Sequence, residues 1–410
     1  MLKSYVSFYI SLLLLISCGN NSFINEMDFE GYTETHEQDD LAEKQYVKID
    51  GDQAYIGAKF DDTHDITITF KKCMFNELMT FFQVGLAENA NKLPAINPER
   101  KVDQVLNLAT SDNVGPVLIQ GGSWIGGNHS YQEGGQVKTA RTLSYEFYAD
   151  GELLKAGDER WAKVITVRVQ NALYDPLRPS PQPDGGLVYL DHTLILENVT
   201  YTVVSGNIQI TLSHEYRNDD KRVIDRYYGM QSMFVGETDL MTPNGIFPDF
   251  QKIPDEIFFS KISGQGFNRF IEYNNSTGIC QSTFLYPEPQ RFLDQDNRVF
   301  IRAYGKSYHN LLASKEVKMG ETLSWFGLYT WFRPSTNNHN YLAYCGQMKD
   351  EKLLFIDCKR SFQGEISFPN TLSGKKYRTL FAGQGISVQK SKDGVRLTAE
   401  RNGSLILAFK

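Results

Sequence analysis

Between residues 141 and 216 the chain runs through one alternating or β-branched segment after another, which commits its centre to long antiparallel strands. Residues 141–149 alternate and stop at the hairpin signal Asp150-Gly151. In residues 161–170, WAKVITVRVQ, Val164, Thr166, Arg168 and Gln170 share one face, with Ile165, Val167 and Val169 on the other. Successive strand side chains point to opposite sides, so a single segment offers a sheet both an apolar and a polar surface. After a Pro/Gly/Asp-rich loop at 175–186, segments 187–196, 199–205 and 207–216 read as three further strands with short turns, Ser205-Gly206-Asn207 among them. Strands that follow one another this closely build a meander rather than βαβ units. No repeat of fixed period runs through the chain, which disfavours propellers and solenoids. The 22 Tyr and 26 Phe favour strands, and 41% hydrophobic content supplies a sizeable core.

The flanking regions carry the same texture. Segments 45–49, 65–70 and 116–120 read as strands, whereas Phe75, Leu78, Met79 and Phe82 have the spacing of a short helix over 75–86. Shorter strands are expected over 257–300, interrupted by Tyr286-Pro287-Glu288-Pro289, before the aromatic strand that ends at Phe332. Beyond Pro334 a polar link, 335–340, leads to a β-rich tail with hairpin signals at Lys392-Asp393-Gly394 and Arg401-Asn402-Gly403. The expected organisation is a large β domain at 45–334 and a small C-terminal β domain at 341–410.

At the N-terminus, Lys3 precedes an apolar run from Tyr5 to Ile16 and the tetrapeptide Leu15-Ile16-Ser17-Cys18. This is the order of a secretory signal, here residues 1–17. The run is shorter than the about 20 residues a bilayer-spanning helix needs. Its ending resembles the bacterial lipobox, a resemblance that implies acylation of Cys18 as the first residue of the mature chain. The expected address is the cell envelope, with a lipid anchor in the outer membrane and the protein on its periplasmic or outer face. Residues 18–44 form an acidic tether that includes Glu26, Asp28, Glu30 and Glu34. It resembles export signals of surface lipoproteins from gut Bacteroidetes. The net charge of −7, without a Lys/Arg cluster, argues against a nucleic-acid partner.

Cys73, Cys280, Cys345 and Cys358 lack metal-ligand spacing. They read as buried thiols or as disulfides, with Cys345 and Cys358 a candidate local pair. The chain has no Gly-x-Ser-x-Gly elbow, phosphate-binding loop or metal-spaced His/Glu motif, and no cofactor is implied.

Two clusters are candidate sites. In residues 121–131, four glycines surround Trp124, Asn128, His129 and Tyr131. Glycines at this density mark left-handed backbone or close backbone approach. An aromatic ring offers a stacking face to a pyranose, and Asn and His address hydroxyls; the alternative is a loop packed down by its own His and Trp. The second cluster is His214-Glu215-Tyr216-Arg217 with Arg226-Tyr227-Tyr228. Strand alternation puts His214 and Tyr216 on one face. With Arg226 and Tyr228, that face holds what elimination on a uronic-acid polymer needs: a cation for the carboxylate, a base for the C5 proton and an acid for the leaving oxygen. The alternative is an ordinary sheet face of cross-strand pairs. His192 reads as structural, and Tyr308-His309-Asn310 and 337–340 read as loops.

Asn128-His129-Ser130-Tyr131 is similar to the Asn-His-x-Tyr core of aldose 1-epimerases, the galactose mutarotases. The Gly320-Glu321 pair leading into the aromatic segment 322–332 resembles the final strand of their supersandwich fold, shared with several polysaccharide lyases. The motif departs from the family at Gly127, where Thr is favoured, and at Gln132, where an aromatic is favoured. The resemblance implies an all-β, antiparallel supersandwich over about residues 46–333, with His129 acting beside a sugar ring. The functional expectation is a carbohydrate-active protein using His129, Tyr131, His214, Arg226 and Tyr228, with Trp124 and Asn128 binding the sugar in one shared cleft. The alternative is a glycan-binding lipoprotein without catalysis.

Overall fold

The alternating segments meet in a ten-stranded antiparallel sheet with the spatial order Gly245–Phe247, Thr238–Thr242, Arg269–Asn274, Cys280–Leu285, Thr322–Phe332, Asn207–Tyr216, Thr193–Val204, Ile165–Tyr174, Ala140–Ala149 and Glu152–Leu154. The computed structural model describes residues 44–410 except 109–114, 133–136, 183–187, 243–244, 250–256, 260–268, 287–297 and 303–305. The signal segment, Cys18 and the acidic tether up to residue 43 lie outside the described residues.

Register decides which side of the large sheet is buried. Val167 opposes Tyr201, Tyr201 opposes Ile210, and Ile210 opposes Gly327, so one apolar row crosses four strands. Two further sheets, each six-stranded among the described residues, pack on this inner face. The N-terminal one brings Phe70 and Phe81 against Tyr201, with ring centroids 5.3 and 6.1 Å away. The other, which contains Val117–Ile119, Arg222–Ser232 and Lys306–Val317, brings Tyr227 and Met230 against Trp325 and Gly327. Trp325 Nε1 donates to Tyr227 Oη at 3.0 Å, and Tyr329 Oη donates to the Gln231 carbonyl at 2.7 Å. A Cβ at Gly327 would stand 2.2 Å from Met230 Sδ, so the layers close only over a glycine. The result is the expected all-β supersandwich, two sheets stacked on one larger sheet.

The outer face of the large sheet is polar in its middle, where Thr166, Arg168 and Gln170 point, and apolar at the end carrying Phe284, Leu328 and Phe332. That apolar end is covered by the C-terminal strands Tyr341–Gln347, Lys352–Cys358 and Gly403–Phe409. Phe332 and Tyr344 stack at 3.7 Å, and Arg269, fully buried, pairs with Asp357 and Ser404 across the junction. Phe362–Ser367, Ile386–Ser391 and Gly394–Ala399 form a second C-terminal sheet that closes its own core over Ile356, Leu397 and Leu407.

Three sequence expectations change, and the open choice between thiols and a disulfide at Cys345 and Cys358 resolves to thiols. The helix expected at 75–86 is the strand Leu78–Glu88, paired with His64–Cys73 through a tight turn in which Met74 and Glu77 have φ of 62° and 52°. Its apolar residues satisfy two burial patterns, and pairing on both sides selects the extended one. The break expected after 196 is absent, because Glu197 and Asn198 continue in register opposite Asn171 and Gln170 within Thr193–Val204. Tyr308-His309-Asn310 lies inside the strand Lys306–Val317, not in a loop. Cys345 and Cys358 stay unpaired, since Cys345 opposes Leu354 while Cys358 opposes Tyr341. Four strand steps separate those rungs, about 13 Å, beyond disulfide reach.

Candidate functional site

The glycine-rich segment folds as its composition demands. Gly121, Gly126 and Gly127 have φ of 74°, 76° and 51°. Gly122 presses against Pro176, whose Cγ would lie 2.8 Å from an added Cβ. Val117–Ile119 and Trp124–Ile125 form a small hairpin at the sheet edge, closed by Gly122 N–H donating to the Ile119 carbonyl at 2.9 Å. Buried Asn76 pins the backbone just past this hairpin: its Nδ2 donates to the carbonyls of Gly127 and His129, both at 2.9 Å, while its Oδ1 accepts from Thr139 N–H at 3.0 Å. Asn128 Oδ1 accepts from the Phe75 N–H at 3.0 Å, so this side chain also anchors the loop.

So positioned, Trp124 and His129 join residues from two neighbouring strands. The Trp124 ring stacks on His129 (5.1 Å, 18°) and meets Tyr228 at 4.8 Å; Tyr228 in turn meets Tyr308 at 5.0 Å. Arg226 Nη1 donates to Tyr228 Oη at 3.3 Å, and Gln231 Nε2 donates to Tyr308 Oη at 2.6 Å. Tyr227 faces the inner core while Tyr228, the next residue, faces away from it, with a bulge between them. Trp124, His129 and Arg226 are half-exposed, and Tyr228 and Tyr308 are nearly buried beneath them. Four expected site residues therefore come together: Trp124, His129, Arg226 and Tyr228. Tyr308 completes the group. Its signal was the alternation of Tyr308 and Asn310 with Ser307, His309 and Leu311, which reads as a two-faced strand.

Two expected residues lie elsewhere. Tyr131 packs with Ala172, Tyr174 and Leu190 on the outer face of the large sheet. His214 is fully buried on the inner face, its ring stacked on Tyr227 at 4.7 Å and its Nε2 2.7 Å from Glu197 Oε2. Asn171 Nδ2 donates to the other Glu197 oxygen at 2.8 Å. Gly115 seals this pair: an added Cβ there would stand 2.9 Å from Glu197 Oε2 and 3.1 Å from His214 Nε2. His214 and Tyr216 do share a face, as alternation requires, but that face is the interlayer core. The shared cleft of His129 and His214 does not form.

A further polar cluster sits deeper in the interlayer core. Glu272 contacts Ser232 Oγ and accepts from Ser307 Oγ at 3.1 Å, and burial pushes its pKa up to about 8. His309 Nε2 lies 3.1 Å from Thr283 Oγ1, and burial lowers its pKa to about 3. Burial thus favours the neutral form of both side chains, which the sheets enclose.

No family model matches this sequence, and no curated protein is significantly similar to it. Among solved structures, the galactosidase domain of an α-galactosidase–sucrose kinase is 11% identical, with 70% of this chain and 42% of that one covered and a TM-score of 0.39. A heparan sulfate lyase from Pedobacter heparinus is 8% identical, covering 76% of this chain and 41% of that one, with a TM-score of 0.31. A putative aldose 1-epimerase from Klebsiella pneumoniae is 10% identical, covering 68% and 80%, with a TM-score of 0.32. This chain thus spans less than half of the first two proteins. This chain's own strand order and register define its supersandwich.

Proposed function

We propose that this protein is an exported, lipid-anchored glycan-binding protein of the cell envelope that holds a sugar at the Trp124 cluster. One observation carries the reading: half-exposed Trp124 and His129, on the segment whose backbone Asn76 pins at Gly127 and His129, sit with half-exposed Arg226 of strand Arg222–Ser232 over nearly buried Tyr228 and Tyr308. A rigid aromatic group with cationic and hydroxyl donors beside it offers a pyranose an apolar surface and its hydroxyls fixed partners. The backing rings reduce what must be ordered on binding. Burial of His214 removes the second acid–base group from the surface, which favours binding over turnover. Lipid attachment at Cys18 would hold the domain at the outer membrane through the acidic tether.

Calorimetry of the full chain against a panel of neutral and uronic-acid oligosaccharides tests this. Trp124→Ala should cost about 1–3 kcal/mol, roughly five- to hundredfold in affinity; unchanged binding in that variant refutes the site. Cys18→Ala should abolish lipid labelling, and labelling that persists refutes the anchor.

The Arg226–Tyr228 contact supports a second reading, elimination chemistry on a uronate, with Arg226 facing the carboxylate and Tyr228 passing a proton. It requires unsaturated-product absorbance that Tyr228→Phe abolishes while binding persists. Retention without such absorbance leaves the binding reading.

A further inference from the structure

On the opposite side of the sandwich from the Trp124 cluster, the outer face of the large sheet carries a cavity of about 410 Å³. Its walls come from the two ends of adjacent strands and the segment beyond them: Lys138 and Arg141, Tyr174, and Gln182 with Tyr189 and Leu190. Arg141 opposes Ala172 in the register, on the same outward side as Tyr174 two residues further on. The volume lies within the range of small-molecule clefts, roughly 300–1,000 Å³.

The polar groups here point to a ligand of one sign. Arg141 is exposed and, among the described residues, makes no ion pair. Lys138 is paired with Glu77, and no acidic side chain among the described residues lines the cavity. Asp191, the acid near Tyr174, accepts from Ser180 Oγ at 2.8 Å. Among the described residues the cavity therefore presents the Arg141 guanidinium, beside a Lys138 ammonium already engaged by Glu77, with two phenols and a carboxamide around them and Leu190 as an apolar wall. An extended cation beside two aromatic rings suits a ring that carries a planar anion. Guanidinium matches carboxylate through two parallel hydrogen bonds, the phenols address hydroxyls, and the ring's apolar face meets tyrosine and leucine.

We propose that this cavity is a second saccharide site, selective for a carboxylate-bearing sugar residue. It rests on the glycan reading above for the class of ligand, but on different residues for its recognition. The loop 121–131 links the two places, since it carries Trp124 and His129 on one side and Tyr131 against Tyr174 and Leu190 on the other. One acidic glycan chain long enough to wrap the loop would engage both, and the linked sites would raise its avidity without new contacts.

The test is calorimetry of the full chain with tetragalacturonate and a hyaluronan tetrasaccharide as carboxylated probes and galactotetraose as the neutral one. Wild type should bind at least one carboxylated probe more tightly than the neutral one, with an affinity that falls as salt rises. Arg141→Gln should lower that affinity about tenfold or more while leaving galactotetraose binding and the unfolding midpoint unchanged, because the side chain is exposed and, among the described residues, makes no ion pair. Arg141→Lys should recover only part of it, since the charge returns without the planar fork. Carboxylated probes bound equally by wild type and Arg141→Gln overturn the proposal. So does a sulfated tetrasaccharide that binds more tightly than either carboxylated probe. Neutral binding that Trp124→Ala abolishes, with no carboxylate preference in wild type, overturns this site and leaves the aromatic one standing. Absence of binding by every probe overturns both.

Discussion

Replacing Glu272 by Gln should remove a loss of stability that develops as pH rises from 4.5 to about 8. Glu272 is fully buried between the layers, on strand Arg269–Asn274. Ser232 Oγ is in contact with its carboxyl and lies 2.7 Å from Gln281 Oε1. The single hydroxyl hydrogen serves only one acceptor, so the Ser232 bond to Glu272 is complete when the carboxyl itself carries a proton. Burial raises the pKa of that carboxyl from 4.5 to about 8. Between those values the folded chain keeps a proton that the unfolded chain has released. Stability is then full below pH 4.5 and falls by about 1.4 kcal/mol per unit as pH rises. The loss is complete above about pH 8 and totals about 5 kcal/mol over the span. His309 slopes the other way: its pKa is lowered from 6.5 to about 3, so its contribution is present above pH 6.5 and lost as pH falls. In Glu272→Gln that histidine is unchanged, and subtracting the two stability curves cancels it along with every other titrating group. Urea unfolding at steps between about pH 4 and pH 9 supplies the curves. The expected difference is flat below pH 4.5 and grows in favour of the Gln variant up to about pH 8. Parallel curves over pH 5 to 8 would show that Glu272 ionises in the folded protein as it does in the unfolded chain, and would refute the argument.

Three other outcomes follow from the same core. His214→Leu leaves Glu197 buried beside Asn171 without its imidazole partner, and should cost about 3–5 kcal/mol in urea unfolding; a variant of normal stability that has lost only ligand binding would contradict the core assignment. Gly115→Ala forces a side chain into φ of +56° and against Glu197, and should destabilise by about 1–3 kcal/mol, measured by thermal unfolding. Asn76→Ala removes the amide that ties Gly127 and His129 to Thr139. It should weaken sugar binding together with stability, and hydrogen exchange at residues 126–130 should rise; protection equal to wild type would refute the anchoring role.

Much of the architecture was legible because strand period is local. The alternation of Ile165, Val167 and Val169 with Thr166, Arg168 and Gln170 separates an inner from an outer face without knowledge of any neighbour, and the structure keeps that division. The glycines of 121–127 likewise announced left-handed backbone, and three of them adopt it. Sequence spacing failed where pairing had to choose: the apolar pattern at 75–86 suits either a helix or a strand, and hydrogen bonding to His64–Cys73 and Gln104–Leu108 made it a strand. Alternation also put His214 and Tyr216 on one face, but whether that face meets solvent depends on what covers it. The covering sheet joins strands from distant parts of the chain, and the strand that lays Tyr227 over His214, Arg222–Ser232, is brought there by tertiary stacking alone. For the same reason Tyr228 and Tyr308, 80 residues apart, became neighbours of Trp124 only when their strands paired. A two-residue period names the residues that share a side; the packing of one sheet on another decides which side becomes core and which is left for a ligand.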